Sequence, residues 1–164
     1  MSARRMQGGG AGGLAFACPD VVIRKMATAD VGRVAELEAE AFSTPWEAAT
    51  FRTLLRRTGA ELWVAERGQS VVGYYVLWCI QEQGELANIA VTEPARGLGI
   101  GSRLLDHALE TACRRGVESL YLEVRASNER AQSMYGSRGF EQIGTRRDYY
   151  EGPREDAWVL MKRL

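Results

Sequence analysis

The stretch from Glu85 to Val124 limits the folds open to this chain more than any other. An apolar run, Glu85–Val91 (ELANIAV), leads into the glycine-rich segment Arg96-Gly97-Leu98-Gly99-Ile100-Gly101. Ile100, Leu104, Leu105, Ala108, Leu109 and Ala112 then recur at helical spacing. That helix should stop at Gly116, after Arg114 and Arg115 have placed positive charge near its C-terminal dipole. Leu120–Val124 (LYLEV) reads as a second strand. Strand, turn, helix and strand of this length make a crossover unit, whose two strands are parallel neighbours in one sheet.

The flanks add elements of another kind. Val21–Lys25 is a short β-rich run, and Thr28 or Asp30 can cap a helix with an apolar stripe of Val31, Val34, Leu37 and Ala41. Thr44, Pro45 and Glu47 spell a capping box with proline at the first helical position, which predicts a helix over 45–57 burying Phe51, Leu54 and Leu55. Glu61–Glu66, Ser70–Ile80 and Glu85–Val91 are separated by turn signals and predict an antiparallel meander. Asn128–Ser137 reads as a short helix, and Phe140–Arg146 and Trp158–Met161 as the last strands. The expected fold is α/β: a mixed sheet, antiparallel at its N-terminal strands, then a central parallel βαβ pair, with helices on both faces.

The chain has 164 residues, enough for one domain with a sizeable core. Residues 1–20 carry a Gly cluster that cannot pack, so we read 1–20 as a disordered leader and 21–164 as a single domain. Arg4, Arg5 and the stretch 14–18 faintly suggest a lipoprotein signal, but the apolar part is too short. Basic and acidic side chains balance at 21 each, which gives no net field for nucleic acid. No apolar run reaches the ~18 residues of a membrane span. Cys18, Cys79 and Cys113 form neither a disulfide framework nor a metal pattern, which favours a reducing compartment, and the missing export signal makes a cytoplasmic location the expectation. Cys79 and Cys113 are expected to be buried as small apolar groups. His107, the only histidine, lies mid-helix and reads as structural or solvated.

Several readings of the glycine loop compete. Its free N–H groups and the helix dipole attract anions. A Walker loop is excluded, because no Gly-Lys-Ser/Thr follows. A dinucleotide fingerprint would begin at Gly97, but Ser102 stands where Gly or Ala belongs; Glu123, twenty-odd residues on, imitates the ribose-binding acid. Glycines that only pack helix against sheet are the bland alternative.

Arg96, Gly99 and Gly101 also match the pattern Arg/Gln-x-x-Gly-x-Gly/Ala of the pyrophosphate loop in GNAT acyltransferases. Further on, 122–128 (LEVRASN) and 134–140 (MYGSRGF) closely resemble one branch of that superfamily, the RimI-type ribosomal-protein-alanine N-acetyltransferases. The resemblance extends over 21–164 and includes Phe42 with Pro45-Trp46, 86–91, 146–150 and 154–157. It departs at Glu93-Pro94, where the family often places its proline one residue earlier. The resemblance implies transfer of acetyl from acetyl-CoA, without metal, to the N-terminal α-amino group of an alanine-starting small-subunit ribosomal protein. It makes Glu123 the general base and Tyr135 the acid that protonates the departing thiolate. It assigns Asn128 to the pantetheine arm, residues 96–101 (Arg96, Gly97, Leu98, Gly99, Ile100 and Gly101) to the pyrophosphate, and Ile89, Ala90 and Val91 to the cofactor's amides and thioester oxygen.

The residues permit that chemistry. A peptide α-amine has a pKa of ~7.7–8.0 against ~10.4 for Lys, so part of it is neutral near pH 7 and a carboxylate acting through water suffices as base. A phenol of pKa ~10 can protonate a thiolate whose thiol lies near ~8.5. Phe42, Trp46, Tyr149 and Tyr150 are candidates for gripping an extended peptide, beside Glu85 and Asp148. A small amine or a lysine side chain remains open as acceptor, as does a non-catalytic acyl-CoA-binding role. A monomer is the expected state, with no nucleic-acid or membrane partner.

Overall fold

A computed structural model describes residues 20–164, so the leader expected over 1–20 lies, but for Asp20, outside the described residues. β1 (Val21–Lys25) leads through a 3₁₀ turn into α1 (Val31–Ala41), then α2 (Ala48–Leu54), β2 (Ala60–Arg67), β3 (Ser70–Ile80) and β4 (Gln83–Val91). The crossover follows as α3 (Ile100–Arg114) and β5 (Ser119–Arg125), and α4 (Glu129–Gly136), β6 (Glu141–Tyr150) and β7 (Glu155–Arg163) complete it.

The strands form one sheet in the order β1-β2-β3-β4-β5-β7-β6. Among the described residues only β4 and β5 pair in parallel; every other neighbouring pair is antiparallel. β3 carries Tyr74 and Val76 toward one face and Tyr75 and Leu77 toward the other, all buried, which is why its sequence is apolar throughout. On the first face α1 and α2 pack Val31, Val34, Leu37, Phe51 and Leu54. On the second, α3 packs Leu104, Leu105, Ala108 and Ala112, with Tyr135 of α4 and Phe140 beside them. Helices therefore cover both faces, as expected.

Three local expectations need correction. α2 begins at Ala48, with Glu47 as its N-cap in extended conformation, and ends at Leu54. The Thr44 capping box does not form, because the Trp46 N–H is taken by the Glu38 carboxylate at 3.0 Å, holding the preceding chain away from helix. Ala41 is exposed, and Glu38 is buried in the α1 stripe instead. Cys113 is exposed while Cys79 is buried, because Cys113 lies off the apolar stripe of α3. His107 is structural: its ring meets Trp63 at 4.4 Å between centroids and its Nδ1 bonds the Tyr75 hydroxyl at 2.8 Å.

Candidate active site

The parallel pair is short. β4 and β5 stay in register only at Gln83–Ser119, Gly84–Leu120 and Glu85–Tyr121. One residue later β4 is bulged, since Leu86 lies opposite Leu77 and Asn88 opposite Val76, leaving Ala87 as the extra residue. A bulge bends its strand and increases its twist, which turns the rest of β4 away from β5. Residues 88–91 keep their pairing with β3 but, among the described residues, have no strand on their other side. A cavity of about 870 Å³ fills the opening and reaches through the sheet. It lies within the usual ~300–1,000 Å³ range of small-molecule sites.

At one end stands the start of α3. Gly97 and Gly99 have φ of +80° and +77°, a conformation that costs a residue with a Cβ about 1–2 kcal/mol. A Cβ at either position would meet no protein atom within 4 Å. Arg103 N–H to Gly99 O, 3.1 Å, is the first bond that closes the helix, so the N–H groups of Ile100, Gly101 and Ser102 have no intrahelical partner. Arg96 lines the same end, its Nε donating to Val91 O at 3.0 Å, and Arg130 adds a second cation. Open N–H groups, helix dipole and two guanidiniums suit a polyanion.

The middle is lined by Ile89, Ala90 and Val91 from β4 and by Asn128, Met134 and Tyr135 across from them. Asn128 caps α4 by accepting from Ala131 N–H at 3.1 Å. Tyr135 is buried against Phe140, with ring centroids 5.7 Å apart. That burial, and secondarily the nearby Tyr150, holds its phenol well above the ordinary value and so protonated.

The far end carries the acidic and aromatic groups. Glu123 Oε1 pairs with Arg146 Nε at 2.9 Å, and the Glu123 carboxylate interacts by hydrogen bonding with the Tyr149 hydroxyl. This hydrogen bond, reinforced by burial, raises the Tyr149 phenol, while burial and then the Glu123 charge push Tyr150 up to about 12. The Glu85 carboxyl is raised by burial first and by neighbouring Glu123 second. Arg125 stacks on Tyr150 at 4.3 Å and donates to Ser43 Oγ at 2.8 Å, tying the chain before α2 to the β6–β7 turn. Phe42 and Trp46 face this end from the segment between α1 and α2.

Of the site residues expected from sequence, all but Leu98 line this one cavity; Leu98 is 37% exposed and points elsewhere. Asp148 is likewise outside it, paired with Arg154 at 3.1 Å. Sequence reasoning missed Glu38, only 1% exposed, whose carboxylate accepts from Tyr74, from Asn88 at 2.9 and 3.0 Å and from Trp46 N–H. Burial, then the Glu38 charge, holds the Tyr74 phenol far above its ordinary value. A signal existed, because Glu38 stands four residues after Val34 on the apolar stripe, and a charge there needs a buried partner. Among the described residues, no group of three His, Cys, Asp or Glu is placed to hold a metal ion.

A sheet wedged open beside a glycine loop and an anion-seeking helix start defines a class, and family comparison agrees with it. The model of the acetyltransferase (GNAT) family matches residues 31–140, and the chain belongs to that family. Within it, the chain is 36% identical over 148 residues to the N-alpha-acetyltransferase RimI of Mycobacterium tuberculosis, spanning 87% of this chain and 92% of that protein. It is 31% identical over 140 residues to the [ribosomal protein bS18]-alanine N-acetyltransferase of Escherichia coli K12, spanning 84% and 94%. The crystal structure of the ribosomal-protein-S18-alanine N-acetyltransferase from Escherichia coli superposes with a TM-score of 0.82 at 29% identity, over 88% of this chain and 94% of that one.

Proposed function

We propose that this acetyltransferase moves the acetyl group of acetyl-CoA onto the α-amino group at a protein N-terminus, and that its natural acceptor is an alanine-starting small-subunit ribosomal protein. The observation that carries this reading is the continuous cavity through the sheet, basic with open N–H groups at one end and acidic and aromatic at the other. The likeness to proteins named for the same reaction supports it.

In this reading Arg96, Gly97, Gly99, Ile100, Gly101 and Arg130 hold the CoA diphosphate, and Leu98, which does not line the cavity, takes no part. The unpaired edge of β4 at Ile89, Ala90 and Val91 receives the pantetheine amides as an added strand, helped by Asn128, and a main-chain N–H there polarises the thioester carbonyl. Glu123 removes a proton from the incoming ammonium through water, its carboxylate aligned by Arg146 and Tyr149. The neutral nitrogen attacks the carbonyl carbon, the C–S bond breaks as Tyr135 gives its proton to the sulfur, and the proton that the new amide nitrogen sheds passes through water to restore the Tyr135 phenol. Phe42, Trp46, Tyr149 and Tyr150 flank the acceptor chain. The working domain is residues 21–164, acting as a cytoplasmic monomer without metal, nucleic acid or membrane; among the described residues no helix is long and apolar enough to cross a membrane.

The test is acetyl-CoA turnover with short peptides beginning Ala, Ser, Met or acetyl-Ala, and with free lysine and spermidine. Turnover of free Ala-starting peptides and none of acetyl-Ala is the expected result. A higher kcat/KM for spermidine or lysine would replace the acceptor proposed, and acetyl-CoA binding without turnover of any amine would leave only a binding module.

A further inference from the structure

Glu38 is a charged side chain in the heart of the α1 face, and the chemistry above makes no use of it. Its carboxylate joins three parts of the molecule. It accepts the Trp46 N–H, fixing the segment between α1 and α2 that carries Phe42 and Trp46. It accepts both Asn88 contacts on β4, one residue past the bulge and immediately before Ile89–Val91. It also accepts the Tyr74 hydroxyl, from the wholly buried centre of β3. The acceptor-side aromatics and the strand edge beside the glycine loop are thereby referred to one anchored point.

We infer that Glu38 is a positioning residue for acetyl transfer, setting the acceptor-binding segment at a fixed distance from the β4 edge that aligns the thioester. The inference rests on the acceptor reading above. Glu38 touches neither reacting atom, and its action runs through Trp46 and Asn88. Misplacement of reacting groups by about 1 Å can cost on the order of a hundredfold in rate, so a loose segment should be felt in turnover. A merely structural carboxylate would instead lower the folded fraction, reducing kcat in proportion and leaving the peptide KM alone.

The experiment compares Glu38→Ala, Glu38→Gln and Asn88→Ala with the unmodified protein. Gln can keep the network, its oxygen accepting Trp46 N–H while its amide donates to Tyr74 and to a flipped Asn88. In Glu38→Ala the peptide KM should rise and kcat fall, each by about tenfold or more, with acetyl-CoA affinity within about twofold. Hydrogen exchange of 42–47 should quicken about tenfold or more while α3 is unchanged, and Glu38→Gln should restore most of both. If Glu38→Ala does not fold, Asn88→Ala, which frees β4 alone, should show the same KM and kcat changes with 42–47 still protected. Unchanged exchange over 42–47 in Glu38→Ala, or a fall in kcat with an unchanged KM, overturns the inference. The exchange measurement needs no turnover, so an altered 42–47 in a protein that acetylates no N-terminal peptide would sink the acceptor reading and keep the clamp.

Discussion

Two glycines allow the anion-binding reading of the α3 start to be tested against its own control. Gly99 precedes α3 and Gly116 follows it, both with φ of +77° and both with no protein atom within 4 Å of an added Cβ. An alanine pays about 1–2 kcal/mol for that conformation, offset by about 0.4–1 kcal/mol through its stiffer unfolded chain. Gly99→Ala and Gly116→Ala should therefore destabilise equally, by about 1 kcal/mol, lowering Tm by about 2–4 °C in a chain of this size. Ligand binding should separate them. The Gly99 methyl would be added to the lining of the cavity's basic end, in the open space where a phosphate would approach, whereas Gly116 does not line the cavity. Loss of one hydrogen bond to a charged group is worth about 1.5–3 kcal/mol, so acetyl-CoA should bind Gly99→Ala about ten- to a hundredfold more weakly. Gly116→Ala should bind it as the unmodified protein does. Matched melting curves with calorimetric titration give both numbers, and equal affinity of the two variants would refute the placement of the diphosphate.

Other outcomes follow from the same structure. Tyr135→Phe should lower kcat by ~10²–10⁴ with acetyl-CoA affinity little changed, measured by steady-state kinetics and titration; weakened binding with normal chemistry would contradict the proton-donor role. Glu123→Gln should cost most at low pH, where neutral amine is scarce, and a uniform loss across the pH–rate profile would count against a base. Arg24 grips Asp30 with two bonds of 2.8 and 2.9 Å and holds its carboxyl below the usual carboxylate range, so Arg24→Met should destabilise by about 1–3 kcal/mol at neutral pH. Because the folded-state value is depressed, that contribution is complete above the unfolded ~3.9 and fades as pH falls through the folded value. The melting curves of Arg24→Met and the unmodified protein should converge there.

The crossover, the glycine loop and the strand meander were legible because each has a local cause: period, turn chemistry, dipole. Glu123, Tyr135 and Asn128 were legible through the motif in which they stand, and the structure brings all three to one cavity. What escaped was set by long-range partners. Thr44-Pro45 reads as a helix start, yet the Glu38 carboxylate, eight residues before Trp46, claims the Trp46 N–H, and a capping pattern read by itself does not name that competitor. The bulge at Ala87 was hidden because ELANIAV is apolar almost throughout, and an extra residue leaves no break in such a run. Leu98 was included with its glycine neighbours, although only their backbones face inward.

Ala87 also bears on how such a molecule could arise. Loss of its single codon would leave Asn88 across from Val76 and Ile89 across from Tyr75, with the downstream ladder intact. The strand would then run straight, and its vacant edge could zip onto β5. The opening of the sheet therefore rests on a backbone irregularity one residue long, where the length of the chain counts for more than the side chain it carries.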